Sequence, residues 1–182
     1  MRTLIVLILL IGLFSCQNMK HKHTKLKWSE VNNWSVTGKM AINDGHQSGS
    51  GKFDWIMNNN QLEAQLKAPL GQGSWKFTED NNGAHLTSSK HPDKYSSNAQ
   101  QLLNNELGWP FPLEKLKYWL RGFEYLQAPF EHKNPIDGID DNDWHISYQK
   151  WQHTAMGLLP TKIKANKPPY SVKLIIYQWD FD

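Results

Sequence analysis

Catalysis needs groups that exchange protons, attack carbon or hold a metal, and this sequence gathers few of them together. It contains no His-Glu-x-x-His, no Gly-x-Ser-x-Gly and no phosphate-cradling glycine loop. Asp137, Asp140, Asp141 and Asp143 form the densest carboxylate cluster, but the glycine and distal glutamate of a calcium-binding loop are absent from their places. The cluster is therefore expected to be a solvated loop. The eight histidines are dispersed, and no metal site or cofactor is expected. One side chain stands apart. Cys16 is the only cysteine among 182 residues, so an intrachain disulfide is excluded. It follows Arg2 and the apolar run from Leu4 to Leu13, which has the length of a signal-peptide h-region and is too short to cross a bilayer as a mature helix.

The residues Leu13-Phe14-Ser15-Cys16 resemble a bacterial lipobox, with Phe14 bulkier than usual at its position. In such signals the cysteine becomes the first mature residue and its sulfur carries a diacylglyceryl group, which removes it as a nucleophile. The chain is thereby divided into a signal peptide (1–15), a lipidated N-terminus with a flexible tether (16–27) and a folded domain (28–182). Residues 17–27 are polar and aperiodic, as a tether requires. Within it, His21, Lys22, His23, Lys25 and Lys27 could add a weak attraction to anionic headgroups. The formal net charge of +3 is small and scattered, which gives no support to nucleic-acid binding.

Beyond the tether the hydrophobic period is two. Trp34, Val36, Gly38, Met40 and Ile42 alternate with polar residues, and Asn43-Asp44-Gly45 signals a hairpin. Phe53, Trp55 and Met57 alternate next, then Leu62, Ala64, Leu66 and Ala68, then Trp75 and Phe77, with turn residues between the runs. This is the pattern of a meandering antiparallel sheet with one apolar face. The period then changes. Ser97 and Gln100 have capping-box spacing before a helix carrying Ala99, Leu102, Leu103 and Leu107, which Gly108 can close. A second helix is predicted from Pro112 through Leu113, Leu116, Trp119 and Leu120 to Gly122. Both are too short to be stable alone and must pack on an apolar surface. Strands return at Trp144, Ile146 and Tyr148. A short candidate runs from Leu159 to Ile163, where Pro160 argues for an edge or a strand start. A last strand follows over Val172, Leu174 and Ile176; its other side carries Ile175 and Tyr177, so it is expected to be covered on both faces. The fold class predicted is mainly antiparallel β with α. Most of the nine tryptophans are expected in the core.

Several segments resemble, in order, the LolB family of outer-membrane lipoprotein receptors. They are Trp34-Ser35-Val36-Thr37-Gly38-Lys39-Met40-Ala41-Ile42, Phe53-Asp54-Trp55, Leu66-Lys67-Ala68-Pro69-Leu70-Gly71, Leu102-Leu103 with Leu107-Gly108-Trp109, Pro112 to Gly122, Trp144 to Tyr148, Leu159-Pro160 and Val172 to Trp179. The resemblance implies an unclosed, strongly curved β-barrel with helices plugging an apolar concave face. It implies a non-enzymatic activity: acyl chains of lipoproteins are accepted from a periplasmic carrier, LolA, and the lipoproteins are inserted into the outer membrane. The partners implied are LolA, client lipoproteins and outer-membrane lipids, for a monomer that is lipid-anchored and periplasm-facing in a Gram-negative bacterium. Gln17, where an aspartate would retain many lipoproteins in the inner membrane, is consistent with that sorting.

The acyl-chain cavity is expected to be lined by Trp34, Val36, Met40, Phe53, Trp55, Leu66, Trp75, Trp144, Ile146 and Leu174, with Leu116 and Trp119 from the helix above. Alternation alone cannot separate such a groove from a closed core. Pro69, Leu70 and Gly71 are expected to form a membrane-insertion loop. Some of Lys39, Lys52, Lys67 and Lys76, on wet strand positions, are expected to meet an acidic rim on the carrier. A lipid- or small-molecule-binding envelope lipoprotein with a lipocalin-like role is the alternative, and a cell-envelope hydrolase with an unfamiliar site is a third class.

Overall fold

The computed structural model describes residues 31, 33–128 and 131–182. Cys16, the signal peptide and the tether lie outside the described residues. Ten antiparallel strands form a single sheet: β1 (Asn33–Asn43), β2 (Ser48–Asn58), β3 (Gln61–Lys67), β4 (Ser74–Asp80), β5 (Gly83–Ser88), β6 (Lys94–Ser96), β7 (Gly138–Asp141), β8 (Trp144–Thr154), β9 (Gly157–Lys167) and β10 (Tyr170–Phe181). Their lateral order is β6-β5-β4-β3-β2-β1-β10-β9-β8-β7. β6 and β7 are unpaired edges, so the barrel is open. Between them in sequence stand two helices, α1 (Ala99–Leu107) and α2 (Leu113–Trp119), whose apolar sides face the concave surface.

Alternation becomes burial. In β1, Trp34, Val36, Gly38 and Met40 are buried while their neighbours are half-buried or exposed. Two glycines allow the tight curl. A Cβ on Gly38 would lie 2.2 Å from the Ile175 carbonyl oxygen, beside a register shift between Thr37 and Gly38. One on Gly51 would lie 2.4 Å from the Lys67 carbonyl oxygen. Side chains at either site would push the strands apart.

The structure differs from expectation in five places. α1 is capped by Asn98, whose side chain accepts from the Gln101 N–H at 2.8 Å, one residue after the expected Ser97; Gly108 closes it with φ 75°. β5, β6 and β7 are strands that periodicity did not reveal, being short or mixed in composition. β9 runs for 11 residues between β8 and β10 instead of forming a short edge. Pro160 is tolerated because the β9–β10 ladder spans only Lys162–Lys167, so no β10 partner awaits its missing N–H. β10 is covered on one face only: Ile175 and Tyr177 are 43% and 61% exposed, on the convex side that the helices do not reach. Finally, the aspartate cluster is a solvated loop only in part: Asp137, Asp140 and Asp143 are exposed. Asp140 and Asp141 belong to β7, and Asp141 is buried.

Candidate functional site

Cross-strand register stacks the concave side chains in rows. Phe53, Leu66 and Trp75 form one row; Val36, Trp55, Ala64, Phe77 and Leu86 form the next. Along β3, Leu62 is buried but Ala64 and Leu66 are only half-buried, so cover thins toward the β3–β4 turn. There the sheet and α1 part around an apolar cavity of about 510 Å³. Its walls are Met40, Phe53, Trp55, Ala64, Leu66, Trp75, Phe77 and Leu86 from the sheet, Leu103 and Leu107 from α1, Phe111 from the connection before α2 and Leu113 from its first turn. Polar groups are few; Gln72, Lys90 and Glu106 are among them. The Trp55 indole N–H is buried without a hydrogen-bond partner. The far end is shut by α2, where Lys117 Nζ reaches Glu79 at 2.9 Å and Glu114 at 3.2 Å. Burial works to lower the Lys117 pKa, but its bond to Glu79 and the two carboxylate charges outweigh it and raise it.

The open end adjoins an unusual turn. Ala68 and Gln72 line the cavity, and between them Pro69, Leu70 and Gly71 make one turn of 3-10 helix. Leu70 holds φ 53°, ψ 28° and is 97% exposed; Gly71 follows at φ 70°. A left-handed leucine costs about 1–2 kcal/mol and gains no packing here. The turn is fixed by its ends, with the Gln72 N–H donating to the Pro69 carbonyl at 3.1 Å and the Ala68 N–H to Gly73 at 2.9 Å.

In the other half of the barrel the concave interior is filled by side chains. Of the residues expected to line a cavity, Met40, Phe53, Trp55, Leu66 and Trp75 are in its walls. Trp34, Val36, Leu116, Trp119, Trp144, Ile146 and Leu174 are buried in the core elsewhere and do not touch the cavity. Trp119 packs on Trp144 at 5.4 Å between ring centroids, and its indole N–H donates to Asp141 at 2.9 Å. Asp141 also accepts from Lys115 Nζ and from the Tyr125 N–H, pinning α2 and the chain after it to β7. Burial works to raise the Asp141 pKa, but these three bonds and the Lys115 charge overcome it and hold the carboxyl below its usual range. His132 stacks on Phe123, and burial keeps its imidazole below the usual range. The cavity residues missed in the sequence are chiefly Ala64, Phe77, Leu86, Leu103 and Leu107. Leu86 lies on β5, which periodicity did not reveal; the other four sat on faces already recognised as apolar, but which part of a face stays uncovered depends on where the helices dock.

Among the described residues no helix is long and apolar enough to cross a membrane, and no cluster of His, Cys, Asp or Glu is arranged to hold a metal.

An open antiparallel barrel with an apolar cavity at one end belongs to the class of internal-cavity barrels suited to apolar ligands. Residues 32–179 match the family described as "Outer membrane lipoprotein LolB", and the chain belongs to that family. It is 28% identical to the outer-membrane lipoprotein LolB of Marinomonas sp. (strain MWYL1) over 156 residues, covering 83% of this chain and 81% of the relative. It is 27% identical to that of Francisella tularensis subsp. novicida over 194 residues, covering 97% and 92%. A DUF1329 family protein from Desulfovibrio piger, solved by crystallography, aligns with TM-score 0.46 and 8% identity over 84% of this chain and 86% of its own, too remote to inform the fold. Family membership makes this an outer-membrane lipoprotein of a Gram-negative bacterium with a part in lipoprotein localisation.

Proposed function

We propose that the protein takes the acyl chains of lipoproteins delivered by a LolA-like periplasmic carrier into its cavity and inserts the lipoproteins into the outer membrane, without catalysing a covalent reaction. The observation that carries this reading is the coupling of an apolar cavity to an exposed leucine at its open end. Acylation at Cys16 holds the domain at the membrane where the transfer ends. Burying the Leu70 side chain in lipid gains roughly 1.5–3 kcal/mol, too little to anchor a protein but enough to turn the cavity mouth toward the bilayer.

The test is a two-step liposome assay that scores loading from the carrier and insertion separately. Leu70→Glu is expected to load almost normally and insert poorly. Equal loss of both steps would make Leu70 structural, and no loss in either would make the loop incidental. In cells, depletion should leave other lipoproteins short of the outer membrane.

A further inference from the structure

The convex face carries a feature that cargo uptake does not use. Cross-strand register aligns Lys67 with Lys52, Lys52 with Lys39, Lys39 with Ile175, Ile175 with Lys162, and Lys162 with Lys150. One row thus crosses β3, β2, β1, β10, β9 and β8 with five lysines and a single exposed isoleucine. All six side chains are exposed, and among the described residues none of the five lysines has a carboxylate partner. Lys76, on β4, differs, since it pairs with Glu63 at 2.9 Å. Like charges side by side in a sheet repel. In a chain of net charge only +3, such a row concentrates positive charge locally. Asp140 on β7 and Asp137 just before it lie beyond the β8 end of the row, away from Leu70.

We propose that this lysine row is a docking surface for anionic phospholipid headgroups, on which the barrel lies flank-down. Three observations favour lipid over an acidic protein. The row ends at Lys67, three residues before the exposed Leu70, so the flank that meets headgroups also brings the apolar loop to the bilayer. Every charge in the row is a lysine, a flexible and strongly hydrated point charge that suits a fluid surface; protein interfaces are depleted of lysine and prefer arginine and aromatics. Family membership also places the domain on a lipid tether, so the membrane is always within reach. The proposal rests on that anchorage, not on cargo transfer.

The test uses the lipid-anchored full chain with Ile175→Cys carrying an environment-sensitive fluorophore, in vesicles of phosphatidylcholine with or without phosphatidylglycerol, and with neither client nor carrier present. A flank-down barrel gives a blue-shifted signal, quenched from the lipid, only in the anionic vesicles and only at low salt. Each lysine is expected to shift the docked-to-free ratio about fivefold. Lys39→Gln, Lys52→Gln and Lys162→Gln combined should therefore abolish the signal, while Lys76→Gln leaves it unchanged. Relief of repulsion should leave the triple variant melting no lower than its parent. Equal signals in both vesicles or a lower melting temperature of the triple variant would overturn the proposal; so would, in a second arm with purified carrier added, a signal that appears in neutral vesicles, which would make the row a protein-docking site. Because no transfer is measured, failure here leaves the acceptor function standing, and the reverse holds too.

Discussion

The two halves of the barrel are built from the same alternating strands and end differently. In the half made by β1–β5 and α1, the middle row places Ala64 between Trp55 and Phe77, and the helix covering it contributes only leucines. Space remains. In the half made by β7–β10 and α2, Trp119, Trp144 and Tyr148 fill the concavity. Polar bonds lock them: Trp119 to Asp141, and the Tyr148 hydroxyl to the Trp119 carbonyl at 3.2 Å. Burial drives the Tyr148 pKa upward, so it stays a neutral donor. One half is packed and cross-linked by polar bonds while the other keeps a cavity, in a domain without disulfides.

The largest expected difference comes from removing an aromatic ring in each half. Trp119→Ala empties a fully buried site and removes one of the donors to Asp141, and is expected to cost about 3–5 kcal/mol. Trp75→Ala acts at a half-buried position already bordering empty space, and is expected to cost about 1 kcal/mol. Urea denaturation of both variants measures the contrast. Similar losses would mean that the cavity half is as tightly packed as the other.

A smaller effect concerns acid. Asp141 has a lowered folded pKa, so its stabilisation is complete above the unfolded value of about 3.9 and is lost as pH falls through the folded value. His132, also lowered, favours the neutral ring in the fold; stability there begins to fall below the unfolded histidine pKa of about 6.5. Both groups lie outside the cavity half, so acid should loosen the α2 side first. Asp141→Asn should reduce stability near neutrality and flatten the dependence below about pH 4. Hydrogen exchange of β7–β8 against β2–β4 reads which half opens. Uniform opening would deny the halves separate stabilities.

Much of the sheet was legible because alternation is a local signal: Val36, Met40, Phe53 and Trp55 point inward as their period requires. The Pro69-Leu70-Gly71 turn was equally visible, since proline and glycine constrain backbone directly. The division between cavity and plug was not. Trp75 and Trp144 follow the same pattern, and only helix placement decides that one borders space and the other is packed. Asp141 was misjudged for a related reason. Its neighbours Asp140, Asn142 and Asp143 read as a loop, whereas the lysine and indole that bury it lie 26 and 22 residues away.

The smallest change in stability carries the sharpest test of the comparison. Ala64 lines the cavity between two aromatic rings, and its strand bonds are independent of its side chain. Ala64→Leu adds three carbons directly into the empty volume without touching Leu70, the lysine row or the second half. Filling a real cavity in this way stabilises by up to about 1 kcal/mol, because new apolar contacts form without strain. Binding of a hydrophobic fluorophore and its displacement by an acylated peptide should fall together, since both need the volume the leucine occupies. If the site were an ordinary core, the same substitution would overpack it and cost about 1–3 kcal/mol. The sign of the stability change, read beside the loss of probe binding, therefore separates a ligand cavity from an imperfectly packed interior in one variant.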